Sequence, residues 1–131
     1  MKDDKKMLKI PKMLTGKELL ESVSSEKKSL KIISDYLSYL SLVSIERVNS
    51  GHPGLPLGCS LAMTVVYRYF LNYATKEEIS KKSAVFRDRF VLSAGHGSAL
   101  LYALQYVFGN FFSIKDLASF RRLNSHTPGH P

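Results

Sequence analysis

The stretch FVLSAGHGSALLYALQYVF, residues 90–108, decides the fold expected for this chain. Its first four residues, Phe90 to Ser93, form a short apolar run bounded by a glycine turn, which is typical of a buried strand in a parallel sheet. Residues 97–108 then read as an apolar helix that ends at Gly109. A strand, a glycine turn and a helix in this order predict an α/β fold.

Helices dominate the rest of the predicted structure. Residues 28–48 carry the strongest helical period, and the residues near one face are Ile33, Leu37, Leu40, Val43 and Arg47. Residues 57–69 are apolar almost all round, which predicts a buried helix. Capping patterns predict shorter helices from Thr15 to about Ser22, after Thr75, and from Ser113 to about Arg122.

A single strand makes no sheet. Either further strands escape the pattern, or the remaining strands lie beyond residue 131. The expected fold class is therefore an incomplete α/β unit, mostly helical, with at least one parallel-type strand.

Charge and composition narrow the function classes. The formal net charge is +8, and residues 1–31 hold nine lysines against five acids. Residues 1–28 therefore read as a basic N-terminal extension. The remaining charge forms no basic stripe interleaved with aromatic residues, so nucleic-acid binding is not expected.

The same sequence features argue against a membrane or secreted protein. The longest apolar run is far shorter than the about 18 residues that a membrane span needs, and no signal-peptide pattern follows the N-terminus. Cys59 has no cysteine partner, so it suits a small apolar role in a reducing, cytoplasmic setting.

All four histidines lie in glycine- or proline-rich turns. His52 lies in SGHPG (50–54), His96 in GHG (95–97), and His126 and His130 in HTPGHP (126–131). None lies within an apolar helical stripe. Turns of this kind often aim a side chain at a ligand, so the sequence predicts one pocket built from several loops.

Each turn admits a functional and a purely structural interpretation. Gly95, His96 and Gly97 open a helix, so they either bind an anion or form a tight turn with an incidental histidine. His52 either serves proton transfer or hydroxyl binding, or packs against the next helix. His126 and His130 are separated by proline and glycine, so a helical metal pair is not expected.

Four motifs in a fixed order together resemble transketolase. They are SGHPG (50–54), DRFVLSAGHGS (88–98), FRRL (120–123) and TPGHP (127–131). The resemblance covers residues 29–131 and implies a partial thiamine-diphosphate-binding domain. It also implies a homodimeric family that transfers a two-carbon ketol unit from a ketose phosphate to an aldose phosphate in the pentose phosphate pathway.

The resemblance implies a role for individual residues. His96, with Gly95 and Gly97, would contact the diphosphate of the cofactor. His52 would be catalytic, binding substrate hydroxyls and assisting proton transfer. His130 would bind the hydroxyl end of the ketose donor, and Arg121 would shape the site or bind phosphate.

Other parts of the family pattern are missing from this sequence. The Gly-Asp-Gly…Asn segment that holds Mg²⁺ and the glutamate of the pyrimidine-binding domain are both absent, and His126 matches no functional position of the family. The expectation is a truncated fragment that is inactive alone. The alternatives are a subunit of a split transketolase or dihydroxyacetone synthase, and a non-enzymatic interaction module.

Overall fold

The computed structural model describes residues 26–131. The basic extension, apart from its last three residues, and the helix expected from Thr15 lie outside the described residues. Within them four α-helices follow one another: α1 (Glu26–Val48), α2 (Gly54–Val65), α3 (Ser98–Val107) and α4 (Ile114–Ala118). A π-helical turn, Val66–Phe70, continues α2, and 3-10 turns span Lys82–Phe86 and Gly95–Gly97.

Helix α3 is the centre of the core. Seven of its ten residues are buried, and it packs against α1, α2 and α4. The strong apolar pattern of this helix explains its central place, because most of its faces meet another element. The buried hydrophobic cluster also includes Ile33, Leu37, Leu40, Tyr67, Phe108, Leu117 and Phe120.

Helix α1 confirms the strongest helical prediction. The residues predicted at the C-terminal end of its apolar face, however, are less buried than expected. Ile33, Leu37 and Leu40 are buried, as the period predicts. Val43 is only half-buried and Arg47 is exposed. The last turn still packs Ile45 and Val48 against the core, but the Arg47 position faces outward and its guanidinium remains in water.

Hydroxyl groups join α1 to α2. The Ser34 and Ser60 hydroxyls are 3.0 Å apart, and Ser38 Oγ donates to Ser60 Oγ over 2.9 Å. Thr64, one turn further along α2, donates from Oγ1 to the Ser60 carbonyl over 2.8 Å. Small side chains let the two helices approach closely, and their hydroxyls find partners, as buried polar groups require.

Helix α2 does not bury all its faces, so that expectation is wrong. Its buried residues are Pro56, Ser60 and Thr64, whereas Leu57 is 46% exposed and Leu61 is 52% exposed. The polar side chains face α1 because they can hydrogen-bond there. The two leucines lie one turn apart on a face that no described element covers.

The expected strand at Phe90–Ser93 is not formed. Within residues 26–131 no strand is present, and residues 88–92 have no regular secondary structure. Strand formation needs a neighbouring ladder, and the described part of the chain places no second extended segment beside this run. The expected α/β class with a parallel-type strand is thus corrected to a mostly helical fragment.

The two remaining capping patterns have different outcomes. Thr75 N and Oγ1 both donate to Glu78 Oε2, yet residues 76–80 form only a turn. Ile79 is the one apolar residue there, so a helix would have no face to bury. Ser113 does cap α4, which ends at Ala118 rather than near Arg122.

No helix in the described part of the chain is both long and apolar enough to cross a membrane.

Candidate functional site

Three of the four histidine rings lie together. The centroid of the His52 ring is 5.7 Å from that of His96 and 6.4 Å from that of His130, with the planes steeply inclined. All three residues are exposed. The structure therefore brings the three histidine turns to one place on the surface, with His52 beside both other rings.

The His52 turn is shaped by the end of α1. Gly51 has φ +146°, which disfavours a side chain. A Cβ at that position would lie 2.7 Å from Ile45 Cγ1, so the close approach of the turn to α1 also requires glycine. Pro53 then leads directly into α2. The His52 ring is thereby held between two helix ends.

Helix α3 holds the His130 turn with two hydroxyl groups one helical turn apart. Ser98 Oγ donates to the Gly129 carbonyl over 2.6 Å, and Tyr102 OH donates to the Pro128 carbonyl over 2.8 Å. Sequence reasoning missed both roles. The spacing of four residues places the two donors on one helix face, but only their contacts reveal what they hold.

Thr127 anchors the same turn from its other side. Its side chain is fully buried, and Oγ1 donates to the Asp116 carbonyl over 2.9 Å. The Thr127 carbonyl accepts from the Arg121 amide over 2.8 Å. Sequence reasoning gave Thr127 no role, because a threonine before Pro128 looks like ordinary turn composition.

Arg121 spans the distance between two histidine turns. Its Nη1 donates to Ser50 Oγ over 2.9 Å, and its guanidinium lies against Gly129, where a Cβ would collide with Nε. The guanidinium carbon is also 5.8 Å from the centre of the Phe120 ring. Arg121 has φ 59°, a left-handed backbone that turns the chain back after α4.

A positively charged cavity adjoins Arg121. It has a volume of about 520 Å³, and its lining includes Arg47, Arg121 and Arg122. Within the described part of the chain, none of these three arginines forms an ion pair with a carboxylate. The cavity therefore offers an uncompensated positive charge beside the histidine turns.

The two glycines beside His96 allow close packing. A Cβ on Gly95 would lie 2.6 Å from Cδ2 of His130, and one on Gly97 would lie 2.6 Å from Cδ2 of Leu55. The Gly97 amide donates to the Ala94 carbonyl and the Ser98 amide to the Gly95 carbonyl. These amides are used by the tight turn, so an anion here would meet the His96 ring instead.

His126 is not part of the three-ring group. Its ring is exposed, and Nδ1 lies 3.3 Å from Oδ1 of Asp116. Hydrogen bonds from Ser113 to Asp116, with a smaller effect of His126, lower the pKa of the Asp116 carboxyl.

Two features bear on metal and thiol chemistry. In the described residues, no group of three or more histidine, cysteine or acidic side chains is arranged to hold a metal ion. Cys59 is half-buried and packs against the core, in keeping with its expected apolar role.

The helical core and the surface where the three histidine turns meet both lie within the part of the chain that matches a known family. Residues 28–131 match the family model described as the thiamine diphosphate binding domain of transketolase. The chain belongs to the transketolase family, as its sequence motifs indicate.

Curated relatives and solved structures agree with this assignment. The chain is 43% identical to the transketolase of Aquifex aeolicus over 115 residues and 45% identical to that of Bacillus subtilis over 106 residues. The transketolase structure from Campylobacter jejuni aligns with a TM-score of 0.72 at 39% identity over 82% of this chain. That from Leishmania mexicana aligns with a TM-score of 0.71 at 35% identity over 78% of it.

The relatives are much longer than this chain. The alignments cover 88% and 81% of this chain, but only 16% and 15% of the Aquifex and Bacillus relatives. They likewise cover 16% of the Campylobacter chain and 15% of the Leishmania chain. The chain therefore spans about one sixth of the length of the relatives it matches.

Proposed function

We propose that this chain supplies the histidine-bearing wall of a site for thiamine-diphosphate-dependent ketol transfer between sugar phosphates. The observation that carries the proposal is the meeting of His52, His96 and His130 within 6.4 Å of the central ring. Membership of the family supports the choice of reaction. The wall is inactive until polypeptide equivalent to the rest of a transketolase completes the site.

The residues present fit one part of the cofactor. The His96 ring is exposed beside Gly95 and Gly97, so an imidazole N–H is free to donate to a diphosphate oxygen. The Gly97 and Ser98 amides are already used within the turn, so the exposed His96 ring is the proposed donor. The family's Mg²⁺ segment does not occur in the 131 residues, so no residue of this site is assigned to the metal.

His52 is the proposed catalytic residue. When bound, the cofactor supplies the carbanion chemistry that breaks and forms the carbon–carbon bond. His52 would hold substrate hydroxyls and carry a proton on an imidazole nitrogen, a role that histidine side chains commonly take in general acid–base catalysis. Its exposed position beside both other rings supports this proposed role.

His130 and Arg121 are the proposed substrate-side residues. His130 would donate to the hydroxyl end of the ketose, because its ring lies against the Gly95 backbone on the His52 side of the turn. Arg121 would hold the two turns in place through Ser50 and Gly129. The neighbouring cavity supports the alternative that Arg121 also attracts a substrate phosphate.

Two broader features belong to the same proposal. A cytoplasmic setting is supported by the single half-buried cysteine, since such a thiol persists in a reducing compartment. Dihydroxyacetone synthase activity is the alternative reaction, because the same sequence motifs would serve either enzyme.

The test is reconstitution. The chain is co-expressed with Aquifex aeolicus transketolase that lacks the segment matched here, and ketol transfer is measured with thiamine diphosphate and Mg²⁺. We expect transfer only when both polypeptides are present. His52→Ala should then lower turnover by at least about a hundredfold, the contribution usual for a group that moves a proton.

His126→Ala is the matched control, because His126 lies apart from the three rings. It should leave turnover within about twofold of the parent. Near-normal turnover of His52→Ala, or a loss equal to that of His126→Ala, would remove the proposed catalytic role.

A further inference from the structure

The positively charged cavity beside Arg121 has the features of a binding site in its own right. Arg47 lines it from the last turn of α1, whereas Arg121 and Arg122 line it from the chain that follows α4. Its volume of about 520 Å³ lies within the range of about 300–1,000 Å³ that is usual for small-molecule sites. We call it the arginine cavity.

The lining of the arginine cavity is mostly polar. Asn49 and Ser50 contribute further polar side chains, and Val48 is the single apolar side chain among the described residues that line it. Neither Glu46 nor Asp116, the acidic residues nearest in sequence to the arginines, is part of this lining. An apolar ligand would leave the charged groups without partners, so the lining favours an anion.

Two of the arginines have unused hydrogen-bond donors. In residues 26–131, neither the Arg47 nor the Arg122 guanidinium makes a hydrogen bond or an ion pair. Arg121 differs, because its Nη1 donates to Ser50 Oγ over 2.9 Å and its guanidinium packs against Gly129. The cavity thus combines one guanidinium that is fixed in place with two that are free to donate to a ligand.

The end of a helix explains only part of this arrangement. A basic residue in the last turn of a helix interacts favourably with the helix dipole, and Arg47 has that position in α1. Two carbonyls of that turn already accept from the Asn49 and Ser50 amides, however, and Arg47 bonds to neither. Arg122 lies four residues after the end of α4, so the dipole does not explain its position. Three like charges around one cavity repel one another, and a bound anion offsets that repulsion.

We propose that the arginine cavity is a phosphate-binding site. It is distinct from the three-ring group, because none of the rings of His52, His96 and His130 is among its described lining residues. A guanidinium presents its N–H groups in a planar fork that matches two phosphate oxygens. A phosphate dianion has enough oxygens to accept from three guanidiniums, whereas a carboxylate has only two oxygens and half the charge. The ligand is therefore a phosphate group, either free or at the end of a sugar phosphate.

These two sources of phosphate differ in what else they reach. Gly129 lines the arginine cavity and precedes His130 in the chain. A sugar phosphate held in the cavity brings its hydroxyl groups close to the His130 turn, whereas inorganic phosphate does not. The choice of a sugar phosphate as the second ligand rests on the proposed function, but phosphate binding itself does not.

The test is an NMR titration of the full ¹⁵N-labelled chain with inorganic phosphate, at an ionic strength held constant with sodium chloride. We expect saturable shifts of the Nε–H resonances of Arg47, Arg121 and Arg122. The resonance of Arg68 should not move, because its exposed side chain lies outside the cavity. Constant ionic strength removes general screening, which acts on every exposed charge. Shifts that do not saturate, or that chloride alone reproduces, would overturn the proposal.

Substitutions of the two free arginines measure their share in binding. Arg122→Ala should weaken phosphate binding by at least about tenfold, because hydrogen bonds to a charged group are lost. Arg47→Ala should act in the same direction. Arg122→Lys keeps the charge but loses the planar fork, so it should also weaken binding. Unchanged ring resonances of His52 and His130 show that each variant remains folded.

Arg68→Ala is the matched control, because it removes one positive charge from outside the arginine cavity. It should leave the affinity for phosphate within about twofold of the parent, as expected for a distant exposed charge. Equal affinities of Arg122→Ala and Arg68→Ala would show that only the net charge of the chain attracts phosphate, and the proposed site would be refuted.

Ribose 5-phosphate and ribose identify the source of the phosphate. If a sugar phosphate is the occupant, ribose 5-phosphate binds more tightly than inorganic phosphate and also shifts the His130 ring resonances. If inorganic phosphate binds as tightly and the His130 ring is unmoved, the occupant is free phosphate. Ribose should leave the arginine resonances in place, and equal shifts with ribose and ribose 5-phosphate would contradict a phosphate site. Phosphate binding without ketol transfer in the reconstituted enzyme would count against the proposed function alone.

Discussion

Arg121 donates from Nη1 to Ser50 Oγ over 2.9 Å, and this bond joins residues 71 positions apart in the sequence. The Arg121 amide also donates to the Thr127 carbonyl, and its guanidinium lies against Gly129. One residue therefore contacts the turn of His52 and the turn of His130. The relative position of two of the three clustered histidines depends on this link.

Arg121→Ala tests the link. We expect turnover of the reconstituted enzyme to fall by about tenfold, because loss of a charged hydrogen bond costs about 1.5–3 kcal/mol and loosens both turns. The ring resonances of His52 and His130 should shift in the NMR spectrum of the chain. Steady-state kinetics separate positioning, which lowers kcat, from phosphate binding, which raises KM.

Arg122→Ala is the control for this prediction, since Arg122 lines the same cavity without bonding to either histidine turn. It should leave both histidine resonances in place. Equal effects of the two substitutions on turnover would mean that turnover depends on the positive charge of the cavity rather than on the bond between Arg121 and Ser50.

Gly95→Ala tests the contact between the second and third turns. A Cβ at Gly95 would lie 2.6 Å from Cδ2 of His130, so the ring must move. We expect a changed His130 resonance and weaker substrate binding, seen as a rise in KM of the reconstituted enzyme.

Gly58→Ala is the matched control, because a Cβ there meets no atom within 4 Å. It lies within α2, where alanine is the better helix former. This variant should be more stable by about 0.4–1 kcal/mol in urea unfolding, with unchanged histidine resonances. An unmoved His130 ring in Gly95→Ala would contradict the close contact between the second and third turns.

Tyr102→Phe removes one of the two α3 donors to the His130 turn. The Pro128 carbonyl would lose its 2.8 Å hydrogen bond, so the free energy of unfolding should fall by about 0.5–1.5 kcal/mol. Urea unfolding measures this loss. Tyr69→Phe, which removes an exposed bond to Glu26, should change stability by less than about 0.5 kcal/mol.

Asp116 gives the chain an acid-sensitive element. Its carboxylate accepts from Ser113 Oγ over 2.6 Å and from the Ser113 amide over 2.7 Å, and these bonds lower its pKa. A carboxyl whose pKa is lower in the folded state stabilises the fold above its unfolded pKa of about 3.9. That stabilisation disappears as the pH falls through the folded pKa.

Asp116→Asn should therefore flatten the loss of stability between about pH 5 and about pH 2, as measured by urea unfolding. At neutral pH the variant should be less stable by about 0.5–2 kcal/mol, because the helix cap is weakened. Asp35→Asn is the control, because it removes a carboxylate that pairs with exposed Lys31. It should change neither the loss of stability in acid nor the stability at neutral pH appreciably. Parallel pH profiles of Asp116→Asn and the parent would refute the role of Asp116.

The sequence predicts much of the local structure correctly. The helical periodicity of apolar residues in 28–48 identifies α1. The capping box formed by Ser113 and Asp116 identifies the start of α4. These features depend on residues within one or two turns of each other, so they can be recognised without knowing the fold. The three-ring site is likewise suggested by its glycine-rich turns, although their roles remain predictions.

The failures occur where the outcome depends on distant residues. Leu57 and Leu61 are exposed because Ser60 and Thr64 take the face toward α1, where hydroxyls find partners. Periodicity does not show which face of an apolar helix meets a neighbour. The capping pattern at Thr75 is a separate, local case: no apolar face follows it, so it does not become a helix.

The sequence by itself determined the course of α1, the start of α4, which turns carry histidines and to which family the chain belongs, because short-range periodicity and motif order encode these. Only the tertiary structure decided that Phe90–Ser93 is not a strand and that His52 stands beside His96 and His130. A strand requires hydrogen bonds from another segment, and a site of several loops requires distant hydroxyls and Arg121 to hold them. Both depend on contacts between residues that are far apart in the chain.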